Sequence, residues 1–314
     1  LLIRNRYDFV HAHEEAVFFC SFLKLIFRFK LIYDMHSCLP QQLTNFQFTS
    51  SRFLIGMFKK LEDYALRSAD VIITICPDLS DYVKENIDNH QKHILIENSI
   101  FEPVKTTTTD CISTQPNPQS GNGTDNLLFT LENKRPFIVY AGTLEPYQGI
   151  DIMIQAFQEV VRKQPEAFLI IVGGDQSQVN LYSALAGKLH LNGNIGFTGR
   201  VPQAIAQRYS SQASVLISPR SRGTNTPLKI YEQLASGIPI VATNIYSHTQ
   251  ILHDSVAFLV ERNPEDMARG IVEALQANGE GSRKTANAKR LYDLNYARPV
   301  YEEKMRRVLA LLSS

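Results

Sequence analysis

The sequence predicts an α/β fold built from two domains with parallel sheets. Short apolar runs alternate with stretches of helical periodicity along most of the chain, which is typical of strand–helix–strand units. The alternation is interrupted once, at 105–126, where Thr, Ser, Pro, Gly, Asn and Gln replace almost all large apolar residues. A chain of 314 residues is long enough for two domains. We therefore expect one domain on each side of 105–126, and we interpret that segment as a flexible linker or loop.

The first half of the chain predicts a domain over residues 1–104. Its apolar runs predict four strands: 7–12, 30–34, 71–75 and 93–96. Helices are predicted between them: 16–27, 52–66 and 79–86. In the second of these helices, apolar residues recur on one face.

The second half repeats the pattern more completely and predicts a domain over 127–290. Six apolar runs predict strands: 137–141, 168–172, 195–197, 214–218, 238–242 and 257–260. Helices are predicted between and after them: 150–162, 178–189, 202–209, 227–236 and 264–276. We assign 291–314 to a helical tail, in which 296–312 has the pattern of an amphipathic helix.

Charge and cysteine content exclude some classes of protein. The net charge of +1 gives no electrostatic argument for a nucleic-acid partner, and we expect none. The four cysteines have no metal-type spacing, and we interpret them as reduced thiols of a cytoplasmic protein. They are Cys20, Cys38, Cys76 and Cys111.

Membrane contact is a secondary hypothesis. The apolar stretch 16–33 does not predict a spanning helix, because Lys24, Arg28 and Lys30 interrupt it. The same stretch is basic and aromatic, and the helix 52–66 carries Lys59 and Lys60 beside its apolar face; such surfaces can lie on anionic lipid. A core-facing helix with solvated lysines explains the pattern better. We expect a cytoplasmic protein and keep open a peripheral contact with the inner membrane face.

The segment 214–237 reads as strand, loop, helix and stop. Thr226 suits the N-cap of the helix, Pro227 its first position and Gly237 its end. The start of this helix then lies at the carboxyl end of a strand, where ligands bind in open α/β sheets. Free N–H groups at such a helix end suit a phosphate.

Charged residues surround the same point. Arg220, Arg222 and Lys229 bring cations, and Glu232 could accept hydrogen bonds from a pair of sugar hydroxyls. A solvated loop with ordinary surface cations explains the spacing equally well. A second strand followed by a glycine turn, at 137–151, favours the ligand site, because Gly142 permits close approach of the backbone.

Histidines follow two strands of the first domain. His36 directly follows the second strand and could contact a phosphate or a sugar hydroxyl; a loop histidine bonded to backbone is the simpler interpretation. His11, His13 and Glu14 follow the first strand, but no further ligand lies at a fixed spacing from them. We expect no metal site.

Together these segments resemble family four of the glycosyltransferases, also called glycosyl transferases group 1. These are retaining enzymes with two Rossmann-like domains that face a cleft, the GT-B fold. The resemblance is carried in the first half by 8–14, 33–37, 69–74 and 96–98, and in the second half by 140–151, 197–202 and 225–243. The last of these, NTPLKIYEQLASGIPIVAT, is the most specific.

The resemblance implies a nucleoside-diphosphate sugar as donor, a glycan or a lipid-linked acceptor, retention at the anomeric carbon, and neither cofactor nor metal. It implies Glu232 as the ribose ligand and His36 as the contact to the transferred sugar or its phosphate, and we expect these two to be the catalytic residues. The donor would be held by Gly142, Thr143, Gln148, Gly149, Arg200, Arg220, Arg222, Asn225, Thr226, Pro227, Leu228, Lys229 and Glu232.

The sequence departs from the family at three charged positions. The first of two usual glutamates is Thr224, and the usual Arg and Lys of the glycine turn are Thr143 and Gln148. We hypothesise that Arg220, Arg222 and Lys229 replace the missing cations. The departures also keep open a non-catalytic protein that binds a sugar nucleotide or a partner; a sugar-nucleotide epimerase is the other alternative.

The resemblance further implies that the first domain is incomplete at its amino terminus and that the carboxyl-terminal helix crosses back to it. About 80 residues, which hold the first three strands of the order 3-2-1-4-5-6, would be absent. We expect such a fragment to be inactive alone and prone to aggregation through its uncovered sheet edge.

Overall fold

The computed structural model describes residues 5–39, 51–97, 135–276 and 279–313. The chain divides into two compact units, one formed by 1–101 with 295–314 and the other by 102–294. The predicted linker at 105–126, Asn98 and Cys111 lie outside the described residues, whereas Cys20, Cys38 and Cys76 are free thiols.

The first unit is a parallel sheet of four strands in chain order: β1 (Phe9–His13), β2 (Lys30–Met35), β3 (Val71–Thr74) and β4 (His93–Leu95). Its connecting helices are α1 (Ala16–Leu23), α2 (Arg52–Ser68) and α3 (Pro77–Asn86). Strand β3 is buried along its whole length, as a continuous apolar run in a parallel sheet should be. Lys24 bonds Asp70 at 2.6 Å and so ties the end of α1 to the turn after α2.

The second unit is a parallel sheet of six strands: β5 (Phe137–Ala141), β6 (Phe168–Val172), β7 (Ile195–Gly199), β8 (Val215–Ser218), β9 (Ile240–Thr243) and β10 (Phe258–Val260). Their order in the sheet is β10-β9-β8-β5-β6-β7. The helices are α4 (Ile150–Lys163), α5 (Gln176–Lys188), α6 (Gln203–Ser211), α7 (Lys229–Ala235), α8 (Tyr246–Thr249), α9 (Pro264–Leu275) and α10 (Glu280–Asn295). Two separate hydrophobic clusters cover the two faces of this sheet, which makes the unit doubly wound.

The last helix, α11 (Arg298–Ser313), belongs to the first unit although it ends the chain. Its buried Val308 packs with Ile32, Ile73 and Ile94 on one face of the first sheet. Lys304 lies 3.6 Å from the buried carboxylate of Glu97. The expected return of the carboxyl-terminal helix to the first domain is therefore confirmed.

Candidate nucleotide-sugar site

The site lies where the second sheet reverses its strand order. The chain runs from β5 to β6 and β7 in one direction and then returns to add β8 on the other side of β5. Helices on the two sides of such a reversal diverge, so that a crevice opens at the carboxyl ends of the two strands. Gly142 follows β5 at this point, and Pro219 follows β8. The turns after the two predicted strands, at 137–151 and 214–237, therefore lie at the same edge of one sheet.

The turn after β5 is held by hydrogen bonds from both sides. The hydroxyl of Tyr140 donates to the carbonyl of Thr143 at 2.5 Å, and the amide of Gly142 donates to the carbonyl of Val172 at 3.0 Å. A Cβ at Gly173 would lie 2.0 Å from the carbonyl oxygen of Gly142, so the ends of β5 and β6 approach too closely for a side chain. The backbone of the turn is thus fixed before any ligand binds.

A short 3-10 turn, Pro146–Gln148, connects this glycine turn to α4 and packs against the loop after β8. Gly149 ends it with a φ of +69°, and a Cβ there would lie 2.1 Å from the carbonyl oxygen of Pro219. The amide of Ser221 donates to the carbonyl of Tyr147 at 2.8 Å. The 3-10 turn and the loop after β8 therefore position each other through backbone contacts that only glycine allows at 149.

Arg220 organises the loop after β8. Its Nε donates to the carbonyl of Arg222 at 2.7 Å and its Nη1 to the carbonyl of Asn225 at 2.9 Å. The guanidinium lies over the ring of Tyr147, 5.3 Å from the ring centroid. Burial lowers the pKa of Arg220, and these contacts compensate part of the loss of water. Arg220 thus acts as a structural cation at the edge of the site.

His248, a buried histidine that sequence reasoning missed, connects the ends of β8 and β9. His248 Nδ1 donates to the carbonyl of Thr243 at 2.9 Å, so Nε2 accepts from the hydroxyl of Ser218 at 3.0 Å. Burial lowers the pKa of His248 to about 4, which keeps the ring neutral and this pattern intact. The hydroxyl of Thr243 in turn donates to the carbonyl of Arg220 at 2.5 Å.

Lys229 places a buried ammonium group beside the glycine turn. Its Nζ lies 4.3 Å from the ring centroid of Tyr140 and 3.7 Å from the position of a Cβ on Gly142. Among the described residues, the Nζ has no hydrogen-bond partner. Burial, and secondarily the charge of Arg220, lower the pKa of Lys229 to about 7. A buried cation without a counter-ion is costly, and an anion bound at the turn would relieve that cost.

Two neutral polar atoms of predicted donor residues are also buried without a partner in the described part of the chain, Thr226 Oγ1 and Gln148 Oε1. Gln148 Nε2 donates to the hydroxyl of Thr143 at 3.4 Å. The two residues that stand where the family has an arginine and a lysine therefore contact each other.

The predicted start of the helix is wrong. Helix α7 begins at Lys229 with Leu228 as its N-cap, so Thr226 does not cap it and Pro227 precedes it. The cause is the tight turn from Pro227 to Ile230, whose 2.9 Å hydrogen bond delays the first α-helical residue. At seven residues the helix is too short to support an argument from its dipole. The predicted end is confirmed, because Gly237 has a φ of +72° just beyond it.

The other predicted donor residues are dispersed. Glu232 is exposed one turn into α7, and desolvation by neighbouring atoms raises its pKa. Leu228 is also exposed, and Asn225 contributes its carbonyl to Arg220. Arg200 is exposed after β7, two strands away from β5.

Arg222 lines an open groove of about 830 Å³ together with Tyr147 and Ser221, which belong to the two turns described above. Other charged lining residues are Asp151, Glu261 and Arg262. The replacement of a missing phosphate cation by Arg222 stays a prediction.

In the first unit, His36 belongs to a cluster at the carboxyl ends of β1 and β2. Asp34 lies 3.2 Å from His36 Nε2 and 3.1 Å from His11 Nε2 through its two oxygens. This hydrogen bond raises the pKa of His36, against the effect of burial. Burial would raise the pKa of Asp34, but the two histidines lower it below its usual range. The rings of His13 and His36 are 4.2 Å apart.

The sequence pattern pointed to His11, His13 and Glu14 as a metal-like group, but the structure gathers a different one. His13, Asp34 and His36 offer ligand atoms within 4.8 Å of one another. Ligand atoms of a tetrahedral zinc site lie closer, about 3.3 Å apart. Because Asp34 already accepts hydrogen bonds from two histidines, a polar network explains the cluster, and the absence of a metal stays a prediction.

Comparison with known proteins agrees with this architecture. Residues 129–291, just over half of the chain, match the family of glycosyl transferases group 1, and residues 1–100 match glycosyltransferase family 4. An uncharacterised glycosyltransferase of Haemophilus influenzae is 31% identical over 54% of this chain and 47% of its own length. A phosphatidyl-myo-inositol mannosyltransferase of Mycobacterium tuberculosis is 29% identical over 42% of this chain and 35% of its own length. The chain thus spans half or less of these two relatives.

A solved structure extends the likeness to the whole fold. Anabaena HepE in complex with UDP matches 97% of this chain and 79% of its own, with a TM-score of 0.75 at 17% sequence identity. Such solved structures are GT-B glycosyltransferases with two Rossmann-like domains. The chain belongs to the glycosyl transferases group 1 family and has the Rossmann-like units of the GT-B fold.

Proposed function

We propose that this protein transfers a sugar from a nucleoside-diphosphate donor to a glycan or a lipid-linked acceptor, with retention at the anomeric carbon. Family membership supports a glycosyltransferase. The place of the glycine turn and the β8 loop at the strand reversal supports a nucleotide-sugar site in the second unit. A lipid-linked acceptor would also bring the protein to a membrane surface.

The observation that carries the proposal is the unpartnered ammonium of Lys229. A protein does not keep a cation buried without a partner unless that cation has a use, because each such group costs several kcal/mol, about 3–5 when its partner is removed. The donor's diphosphate is the anion that would lie at the glycine turn beside Lys229. When the sugar leaves, negative charge grows on that diphosphate, and a cation fixed in a dry site stabilises it more strongly than water would.

The remaining residues have more limited roles in the proposal. Arg220 adds positive potential while its donors hold the loop. Glu232 accepts hydrogen bonds from the ribose hydroxyls. Its exposed position on α7 permits this role. His36 belongs to the other unit and stays a prediction for the contact with the transferred sugar or its phosphate.

A second candidate function is a protein that binds a sugar nucleotide without turnover. It is favoured by Thr143, Gln148 and Thr224, which remove two positive charges and one negative charge at positions where the family usually has them. The contact between Gln148 and Thr143 shows that these two positions have a settled neutral arrangement. Binding and turnover therefore have to be measured separately.

Two measurements on the full-length protein test the proposal. The first is calorimetric titration with UDP-glucose and GDP-mannose, and the second is an assay of the free sugar released from each donor. We expect one of the two donors to bind and to be hydrolysed slowly. The variant Glu232→Gln should weaken binding by about 10- to 100-fold, because a charge-assisted hydrogen bond becomes a neutral one. The exposed Glu265→Gln on α9 serves as the control and should bind like the wild type.

The outcomes separate the two candidates. Tight binding without release of sugar or transfer would favour the non-catalytic protein. Binding that is the same in Glu232→Gln and Glu265→Gln would remove Glu232 from the site. If neither donor nor their free nucleoside diphosphates bound, a nucleotide-sugar site in this unit would be excluded for these bases.

A further inference from the structure

The outer side of α1 and the first half of α2 is apolar and uncovered. Phe19 is 76% exposed, Leu25 76%, Ile26 72% and Phe53 80%. The same surface includes three less exposed side chains: Phe22, Leu54 and Met57. We call these seven residues the apolar platform.

The composition of α1 makes this exposure unusual. From Ala16 to Leu23 the helix has no charged residue, and its buried side chains are Val17 and Ser21. A helix that is apolar on all sides is normally covered on all sides. Water-exposed apolar patches of this kind on a monomer mark an interaction surface.

The two helices form one continuous surface. The rings of Phe22 on α1 and Tyr64 on α2 are stacked with centroids 5.2 Å apart. On α2, Phe53, Met57 and Tyr64 are four and then seven residues apart, so they form a single stripe along the helix. The stripe leads from Phe53 to α1, and a flat partner could contact both helices at once.

The elements that carry the platform also carry exposed cations: Arg28 follows α1, and Lys59, Lys60 and Arg67 lie on α2. One exposed acid, Glu15, directly precedes α1. The acidic residues of α2 contribute less, because Glu62 is buried and Asp63 is half-buried. Burial raises the pKa of Glu62 to about 7, which removes part of its negative charge at neutral pH. An apolar stripe with basic residues along it matches the chemistry of an anionic membrane surface.

We propose that the apolar platform is a membrane-docking surface that lies in the interface of a bilayer rich in anionic lipid. The simpler sequence interpretation, a core-facing helix, fails for the first half of α2, because Phe53, Leu54 and Met57 point to solvent. Lateral contact fits the structure, since none of the described helices is long and apolar enough to cross a bilayer. Burying the large apolar side chains would supply the affinity, and the lysines and arginines the lipid preference.

Sedimentation with vesicles tests this proposal without any donor or acceptor, and thus independently of the transfer activity. The protein is mixed with vesicles of phosphatidylcholine alone or with about 30% phosphatidylglycerol. We expect binding to the anionic vesicles that weakens with salt, and little binding to phosphatidylcholine. The double variant Phe19→Ser/Phe53→Ser should lose at least about tenfold in affinity, since two large apolar side chains would no longer be buried in the bilayer interface.

Two further variants keep the result interpretable. Lys59→Glu/Lys60→Glu should remove the preference for anionic vesicles, and both lysines are exposed, so the fold is not at risk. Leu181→Ser on α5, where the leucine is 65% exposed, is the matched control and should bind like the wild type.

The proposal is overturned if the wild type stays in solution with anionic vesicles, or if Leu181→Ser loses as much binding as the platform variants. It is also overturned by a second combination of results. In that case no vesicle binds the protein, light scattering after size exclusion shows a dimer, and the platform substitutions convert this dimer to a monomer. The platform would then be an interface between two copies of the chain.

Discussion

At the residue scale, Lys229 shows how burial can prepare a group for its ligand. The ammonium is removed from water, lies against the ring of Tyr140 and is repelled by Arg220. The loss of water and the repulsion by Arg220 favour the arrival of an anion, whereas the ring compensates part of the cost. His36 has the opposite situation, since its carboxylate partner Asp34 is already in place and raises its pKa.

Donor affinity should depend on pH through Lys229. In the free protein its pKa is lowered to about 7, and a bound diphosphate would raise it. Below that pH the lysine is protonated with or without donor, so affinity is highest there. Above it the donor must bring a proton with it, and affinity should fall by up to about tenfold per pH unit.

Calorimetry between about pH 6.5 and 8.5, in buffers of different ionisation heat, measures both the affinity and the proton uptake. The nucleotide sugar's diphosphate keeps its charge over this range. The pKa of His36 is also raised by Asp34, so the same titration of Lys229→Met separates the contribution of the lysine from that of the histidine. Constant affinity with no proton uptake at the upper end of the range would contradict the role of Lys229.

At the scale of elements, the site depends on two turns that fix each other. The tightest contact between them is at Gly149, where a side chain would meet the carbonyl oxygen of Pro219. Hydrogen bonds from the loop to Tyr147 continue the contact. Movement of the turn would therefore displace the β8 loop, and Lys229 with it.

Gly149→Ala should lower both thermal stability and donor affinity. Gly199 offers a matched control, because its φ of +66° is nearly the same as the +69° of Gly149 but a Cβ there would meet no atom within 4 Å. Gly199→Ala should cost only the conformational strain of alanine, about 1–2 kcal/mol. Gly149→Ala should cost more than this and weaken donor binding by at least about tenfold, since 1.4 kcal/mol of lost binding suffices.

Thermal unfolding and donor titration of both variants measure the difference. Equal stability of the two variants would show that the turn and the loop adjust without strain. Unchanged donor binding in Gly149→Ala would show that their contact does not position the site.

The elements were easier to predict than the site. Strands β5 and β6 were predicted to the residue, because each is a continuous apolar run that ends directly before a glycine. Helix α10 was missed, since few of its residues are buried and its composition resembles a polar loop. Helix α7 begins at Lys229, two residues later than predicted, because a tight turn precedes it. Thr226 therefore does not cap the helix.

Contacts between distant residues explain what the sequence did not predict in the site. The rings under Lys229 and Arg220 belong to Tyr140 and Tyr147, about 80 positions earlier in the chain, and sheet topology brings them together. His248 was missed for the same reason. Arg222 was predicted with Lys229 because the two are close in sequence; in the structure it lines the open groove beside Tyr147 and Ser221.

At the scale of the molecule, the chain returns to its first unit through α11. Its Val308 is buried among three isoleucines of the first sheet, although it lies more than 200 residues after them. The first unit therefore depends on the last residues of the chain. The residues proposed to hold the diphosphate, in contrast, all lie within the second unit.

Val308→Ala should therefore destabilise the first unit and leave donor binding unchanged. Loss of the two methyl groups from a filled core should cost about 1–2.5 kcal/mol, and the neighbouring Leu309→Ala, at a half-exposed position, should cost less than about 0.5 kcal/mol. Thermal unfolding and titration with donor check both statements. A loss of donor affinity in Val308→Ala would contradict a diphosphate site formed by the second unit alone.

The central claim is that the ammonium of Lys229 binds the diphosphate of the donor, and the variant Lys229→Met tests it most directly. The substitution keeps the length of the side chain and removes its charge. Thermal unfolding with and without donor, and titration with donor, are measured for Lys229→Met and for a control variant. The control is Lys163→Met, at an exposed position on α4.

The account predicts opposite effects on stability and binding. Without donor, Lys229→Met should be more stable than the wild type by about 1–3 kcal/mol at pH 7, because a buried charge without a partner is gone. Its donor affinity should fall by about 10- to 100-fold, so that the donor no longer raises Tm as it does in the wild type. Donor affinity equal to that of Lys163→Met would contradict the claim.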